Sequence, residues 1–296
     1  MPEVQTGVRS HHDDDTHNTA TITENASGAE DGSGVEGQPV PLPLLCERIH
    51  RRVYAFLEAE APTEALRRVQ EQTRTSLGVI AEALERYSLR QLSISYNGGK
   101  DCLVLLILYL CALHTHATRT PPASNSSALP PTIQSVYVVS QHPFPQVEAF
   151  VASSMTEYHL DLARYASPMK EAIQAYLHDT RDAVKAIFVG TRRTDPHGAE
   201  LTFFDQTDRG WPAFMRVHPV IDWHYVEIWT FIRHLQIPYC PLYDLGYTSL
   251  GGTTDTHPNP ALKAATKPQS ADAEETQYRP AYELVEDDEE RLGRDR

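Results

Sequence analysis

The chain has 296 residues (33.2 kDa), 41% of them hydrophobic and 22% charged, with 26 Lys+Arg against 40 Asp+Glu and a formal net charge of −14. That length holds one large domain or two small ones, and the acidic balance disfavours nucleic acid and anionic membrane surfaces as partners. The excess is terminal: residues 1–40 carry −7, residues 270–296 carry −6, and residues 41–269 only −1.

Residues 1–40 contain almost no large apolar side chain, so they read as a disordered acidic head. His11, His12 and His17 beside Asp13–Asp15 have the chemistry to chelate a metal, although a solvated polar tail explains the same composition. The N-terminus shows no secretory pattern, and its acids argue against a mitochondrial transit peptide. Cys46, Cys102, Cys111 and Cys240 are widely spaced and form no CxxC pair, which fits a reducing compartment and argues against a cysteine zinc site. A cytoplasmic location is expected.

From Pro41, Leu42, Leu45, Ile49, Val53, Phe56 and Leu57 recur at helical spacing; Thr63-Glu64 opens a second helix with apolar positions at Leu66, Val69, Leu77, Ile80, Ala81 and Leu84. Leu92, Ile94 and Tyr96 alternate as a strand does, an Asn-Gly-Gly turn follows, and an apolar helix starts at Asp101. Its apolar run, Cys102 to Leu113, is too short to cross a bilayer and suits a core helix. Residues 115–132 read as loop. Further strands are expected at Ile133–Val139, around His159–Leu162 and at Ala186–Val189, with helices over Phe144–Tyr158, Pro168–His178 and His224–Leu235, the last capped by Asp222. This alternation predicts an α/β fold: a mainly parallel twisted sheet flanked by helices, with extra N-terminal helices.

Three motifs carry chemistry. Ser95-Tyr96-Asn97-Gly98-Gly99-Lys100-Asp101-Cys102 joins a strand to a helix, where open α/β sheets bind ligands. Its glycines let backbone N–H groups approach an anion, and the helix start and Lys100 add positive charge. It is not a Walker A loop, because position 94 is Ile where that pattern needs Gly, and a plain tight turn would explain Gly-Gly-Lys alone. Gly190-Thr191-Arg192-Arg193-Thr194-Asp195-Pro196 follows the Ala186–Val189 strand; paired arginines suit phosphate oxygens, and Asp195 suits a divalent cation or a phosphate-bound group. The third motif runs from Val217 to Leu262 and includes His218-Pro219-Val220-Ile221-Asp222-Trp223 and Tyr243-Asp244-Leu245-Gly246-Tyr247-Thr248-Ser249-Leu250-Gly251. Aromatics beside glycine turns suit the walls of a planar ring site. Trp223, Val226, Trp229 and Phe231 have the spacing of an ordinary buried helix face.

In order and spacing these motifs resemble eukaryotic, fungal-type FAD synthetases (FMN adenylyltransferases), members of the adenine-nucleotide α-hydrolase superfamily related to phosphoadenylyl sulfate reductases. The resemblance spans roughly residues 44–296 and includes Tyr278-Arg279-Pro280-Ala281-Tyr282-Glu283-Leu284 and Glu290-Arg291-Leu292-Gly293-Arg294, a stretch that composition alone would leave disordered. It implies a Rossmann-like fold with four parts: the head 1–40, a nucleotide- and flavin-binding domain 41–262, a low-complexity insertion 263–277 and an active-site extension 278–296. The extra domain of animal FAD synthetases has no expected counterpart. The implied reaction joins ATP and FMN into FAD and pyrophosphate with Mg²⁺. The implied catalytic residues are Asn97, Asp101, Asp195, Arg291 and Arg294, of which Asn97, Asp101 and Asp195 are the metal candidates. Ser95, Tyr96, Gly98, Gly99, Lys100, Gly190, Arg192, Arg193, Asp222, Trp223, Tyr243, Tyr247, Thr248, Ser249 and Arg279 are the implied binding residues. Lys100, Arg192, Arg193, Arg291 and Arg294 together predict a locally positive phosphate site, with Glu286–Glu290 as a solvated face or as acids that hold the arginines. A monomer without nucleic-acid or membrane partners is expected. Two other readings are a phosphoadenylyl sulfate reductase-like enzyme, which lacks a cysteine near the C-terminus here, and an inactive flavin or nucleotide-binding regulator.

Overall fold

The computed structural model describes residues 39–119, 129–264 and 277–295; the features read at 1–38, including His11, His12 and His17, and at 120–128 and 265–276 lie outside the described residues. Helix α1 (Leu42–Glu58) buries Leu42, Cys46, Ile49, Val53, Phe56 and Leu57 along one face. Helix α2 (Glu64–Arg86) is capped by Thr63, whose Oγ1 accepts from the Leu66 N–H at 3.3 Å. Strand β1 (Leu92–Ser95) leads into α3 (Lys100–Arg119), and β2 (Ile133–Val138), α4 (Pro145–Glu157), β3 (Leu160–Tyr165), α5 (Met169–Asp179) and β4 (Ala186–Phe188) follow. Two short strands, β5 (Phe204–Gln206) and β6 (Met215–Val217), precede α6 (Tyr225–His234).

The sheet order is β3-β2-β1-β4-β6-β5, parallel throughout except for the β5–β6 pair. Ile94 pairs with Phe188 and Phe188 with Val217, so β1, β4 and β6 end side by side. Strand order reverses at β1, and the crevice between the ends of β1 and β4 is where such sheets take ligands. The central helix α3 buries Cys102 through Leu113 without a break. Among the described residues it is the helix long and apolar enough to cross a membrane, and here α1, α2 and α6 pack against it instead. Each fully buried leucine of that run contributes about 1.5–3 kcal/mol. On the other face a smaller cluster joins Val136 and Ile187 to Ile173, Tyr176 and Leu177 of α5.

The structure corrects several boundaries. Residues 115–119 belong to α3, because nothing breaks the helix before Pro121 and the Thr118 hydroxyl donates back to the carbonyls of His114 and Thr115. Strand β3 extends to Tyr165, held over its length by β2. The strands β5 and β6 escape sequence reading because three residues do not establish a period of two. Asp222 does not cap α6: His224 takes that place, its N–H donating to Glu227 Oε2 at 2.9 Å, while the Asp222 carboxylate pairs with Arg193.

Gly190 sets how closely β4 approaches α3. A Cβ there would lie 2.8 Å from the Cys102 backbone nitrogen and 3.1 Å from the Asp101 carbonyl carbon. Gly190→Ala is expected to cost about 1–3 kcal/mol as the helix start is pushed off the strand. An unchanged urea midpoint would refute that tight approach.

Candidate active site

The β1–α3 turn is built for close contact. Gly98 has φ +76°, and a Cβ would meet Val151 Cγ2 of α4 at 2.9 Å, so only glycine suits the turn. Asn97 is exposed at its tip, and its Oδ1 accepts from the Gly99 N–H at 2.9 Å and from the Cys102 thiol at 3.0 Å. Burial pushes that thiol up to about 12, so it stays protonated and donating. The Lys100 N–H donates to the Tyr243 hydroxyl at 2.8 Å, a cap supplied from 143 residues away. The start of α3 is thus polarised toward an anion, and two of its N–H groups are accepted by Asn97 and Tyr243.

Beneath the turn lies a buried ion cluster. Lys100 is 1% exposed and Arg192 is 0% exposed. Lys100 Nζ contacts Asp101 Oδ2 at 3.0 Å, and Arg192 Nε lies 2.8 Å from Asp101 Oδ1. A second carboxylate, Glu290, bridges both cations, and Asp287 Oδ1 reaches Arg192 Nη1 at 3.5 Å. Burial alone would pull the Lys100 ammonium down; Asp101 and Glu290 outweigh it and hold it above its ordinary value. Burial likewise opposes the Asp101 carboxylate, but Arg192 and Lys100 keep it below the usual range. Asp195 Oδ2 accepts from the Arg192 N–H at 2.8 Å, which shapes the 190–195 turn.

The C-terminal segment seals this cluster. Asp287 Oδ1 accepts from the Tyr225 N–H at 2.7 Å, and Asp287 Oδ2 lies 2.5 Å from His224 Nδ1. The Glu290 carbonyl accepts from the Thr248 hydroxyl at 2.6 Å; Asn259 Nδ2 donates to Thr248 Oγ1 at 2.8 Å and to the Glu289 carbonyl at 2.7 Å. Arg294 lies across Gly251, where a Cβ would sit 2.3 Å from its Nη1, and its Nη2 is 3.4 Å from Asp255 Oδ2.

These contacts sort the predicted residues. Asn97, Gly99, Lys100, Asp101, Arg192, Asp195 and Tyr243 come together at the β1–β4 crevice. Arg193 forms a neighbouring pair with Asp222, with its Nη2 2.6 Å from the carboxylate. Tyr247 meets Phe144 edge to face at 5.3 Å near the start of α4. Arg279 is exposed and bonds the Ala261 carbonyl at 3.1 Å. Ser95 ends β1, and Ser249 is half-buried in the segment after Tyr247.

Three expectations are corrected. Tyr96 is a core residue whose hydroxyl donates to Ser154 Oγ at 2.8 Å. Trp223 is also core: its Nε1 donates to Ser76 Oγ at 2.9 Å, and Phe231 packs on it edge to face. Lys100 and Arg192 are both buried and paired with carboxylates, so of the cations in the predicted positive site it is Arg193, Arg291 and, in part, Arg294 that reach the surface. Glu290 is not on a solvated face, being 5% exposed. Glu290 pairs with Lys100 and Arg192 instead, and among the described residues none of Glu286–Glu290 forms an ion pair with Arg291 or Arg294. Glu290, Asp287 and Asn259 were missed as structural members of the site; the spacing of Asp287 and Glu290, three apart in a turn between arginine-bearing motifs, was the available signal.

The three metal candidates have protein partners in the structure. Asp101 is turned to Lys100 and Arg192, Asp195 to a backbone N–H, and Asn97 to its own turn; among the described residues no group of three or more His, Cys, Asp or Glu side chains is placed to hold a metal ion. A cavity of about 770 Å³ lined by Tyr54, Leu77, Gly78 and His116, among others, contains none of the motif residues and lies between α1, α2 and α3.

Residues 91–183 and 166–258 match the phosphoadenosine phosphosulfate reductase domain. A Schizosaccharomyces pombe protein named "Probable FAD synthase" is 40% identical over 248 residues, which cover 84% of this chain and 88% of that protein. The chain belongs to the FAD synthase family. The flavin adenine dinucleotide synthase of Saccharomyces cerevisiae is 34% identical over 75% of this chain and 77% of that one. The crystal structure of Candida glabrata FMN adenylyltransferase with FMN and the ATP analogue AMPCPP superposes with a TM-score of 0.79 at 27% identity, over 88% of this chain and 99% of that one. Yeast FAD synthetase in complex with FAD gives 0.78 at 28% identity, over 86% of this chain and all of its own. The fold expectation of a mostly parallel sheet flanked by helices is therefore met by family members.

In this FAD synthase family member, Arg192→Met is expected to destabilise by about 3–5 kcal/mol, because it leaves Asp101 and Glu290 buried with Lys100 as their one remaining cation; a urea midpoint within experimental error of wild type would contradict the cluster's role. A second prediction concerns His218, which is 1% exposed with neither ring nitrogen hydrogen-bonded. Burial pushes its imidazole down to about 4. The unfolded chain therefore binds the proton first. The His218 contribution is complete above about pH 6.5 and is lost as pH falls toward 4, on the order of 3 kcal/mol in total. Replacing His218 with Gln should flatten that part of the stability–pH curve, and an unaltered slope would rule His218 out as its source.

Proposed function

We infer that this chain is an FMN adenylyltransferase that joins ATP and FMN to give FAD and pyrophosphate. The observation that carries the reading is the 40% identity to the Schizosaccharomyces pombe protein over 84% of this chain and 88% of that one, with the same architecture in an enzyme solved with FMN and an ATP analogue. An FMN phosphate oxygen attacks the α-phosphorus of ATP. A new P–O bond forms, the bond from the α-phosphorus to the bridging oxygen breaks, and the electron pair leaves with pyrophosphate. The nucleophile is already an anion, so the protein needs no strong general base; its work is alignment and charge neutralisation.

The α3 start and the Asn97–Gly99 turn supply polarised N–H groups for the ATP phosphates. Arg291 is exposed and Arg294 only loosely paired, whereas Arg193, though exposed, is held by Asp222 and the carbonyls of Ala199 and Leu201. Mg²⁺ is proposed to enter as part of the MgATP substrate, since it is held largely by phosphates and water in such sites. A redox reading finds no support in the thiols: all four cysteines are buried, and burial raises each of them. A monomeric cytoplasmic enzyme is the form proposed.

Incubation with FMN, ATP and Mg²⁺ should yield FAD and pyrophosphate in equal amounts; binding of both substrates without product would instead support a regulator. Arg294→Ala is expected to lower turnover by about a hundredfold while leaving the fold intact, and wild-type FAD production by that variant would remove Arg294 from the catalytic set.

A further inference from the structure

Glu290 occupies an unusual place for a tail acid. It lies in the run Glu286–Glu290, yet it alone of the five is buried. Its carboxylate bridges Lys100 of the β1–α3 turn and Arg192 of the loop after β4, so one side chain ties together the two strand ends that define the crevice. Its carbonyl is fixed by Thr248, and Asp287, three residues earlier, is pinned by Tyr225 and His224. The next residue is Arg291, which is exposed and has no ion pair among the described residues. Arg294 follows, and among the described residues its Nε is unpartnered and its only carboxylate contact is at 3.4 Å. The tail therefore delivers one buried anion and two under-used cations in five residues. The buried anion cannot meet a phosphate; the two cations can.

We propose that Glu290 is a positioning residue for adenylyl transfer: by satisfying Lys100 and Arg192 it locks the register of the tail and presents Arg291 and Arg294 to the phosphate of the flavin substrate. This rests on the FAD-forming reading above. It also implies an asymmetry. Removing the Glu290 charge loosens the arginines that meet FMN but leaves Lys100 and Arg192 less neutralised, which makes the nucleotide end more attractive to phosphate. A residue that merely stabilised the fold would weaken both substrates alike.

The test uses the full chain and the variants Glu290→Gln and Glu290→Asp. FMN binding is read from quenching of its fluorescence and ATP binding by calorimetry, with amide exchange followed across 277–295 and α3. For Glu290→Gln the expected results are FMN affinity down by at least about tenfold, ATP affinity unchanged or tighter, and faster exchange in the tail with α3 still protected. Glu290→Asp, which keeps the carboxylate, should recover most of the FMN affinity. Parallel loss of both affinities with loss of α3 protection would overturn the proposal, as would FMN binding within about twofold of wild type. If the wild-type protein forms no FAD, the enzymatic reading fails by itself, while the binding and exchange results still decide whether Glu290 holds the tail.

Discussion

A lysine and an arginine buried at the end of a parallel sheet stay charged only if carboxylates reach them; the desolvation cost of each ion is several kcal/mol, and an unpaired one is not tolerated. Lys100 and Arg192 meet that requirement with Asp101, which is local, and with Glu290 and Asp287, which come from the far end of the chain. The demand of two buried cations thus dictates where the C-terminal segment goes. Much of the rest follows from it: Tyr225, Thr248 and Asn259 are committed to holding that segment, and the β1–α3 turn is capped by Tyr243 from the adjoining region.

The same constraint organises the chemistry. Both substrates of the reaction are anions, and the chain as a whole is strongly acidic, so attraction has to be local. The structure divides its cations into two groups. Lys100 and Arg192 are consumed in building the site, while Arg291 and Arg294 keep solvent access or loose partners. Backbone N–H groups at the start of α3 add polarity without adding a titratable charge. On the proposed reading such a site works by alignment, which requires the segment that carries Arg291 and Arg294 to be held in one register.

Much of this was legible in the sequence. The unbroken apolar run after Asp101 announced α3 as a core helix, and Asn97-Gly98-Gly99 announced a turn that only glycine satisfies. The helical spacing of Trp223, Trp229 and Phe231 correctly indicated a packed face, against the implied binding role for Trp223. Other features were not legible for physical reasons. A three-residue strand such as β6 has no periodicity to detect. Lys100 in a glycine turn has the same local signature whether it faces a phosphate or a buried carboxylate, and only the partner 190 residues away decides. Glu290 was hidden by its neighbours, since burial of one acid in a run of five depends on tertiary packing and not on composition.

The most direct test is a crystal structure of the protein with FMN and a non-hydrolysable ATP analogue bound. The account predicts the FMN phosphate within hydrogen-bonding reach of Arg291 or Arg294, with the Glu290 carboxylate still bridging Lys100 and Arg192. A structure in which nucleotide phosphate has displaced Glu290 and sits directly on Lys100 and Arg192 would contradict it.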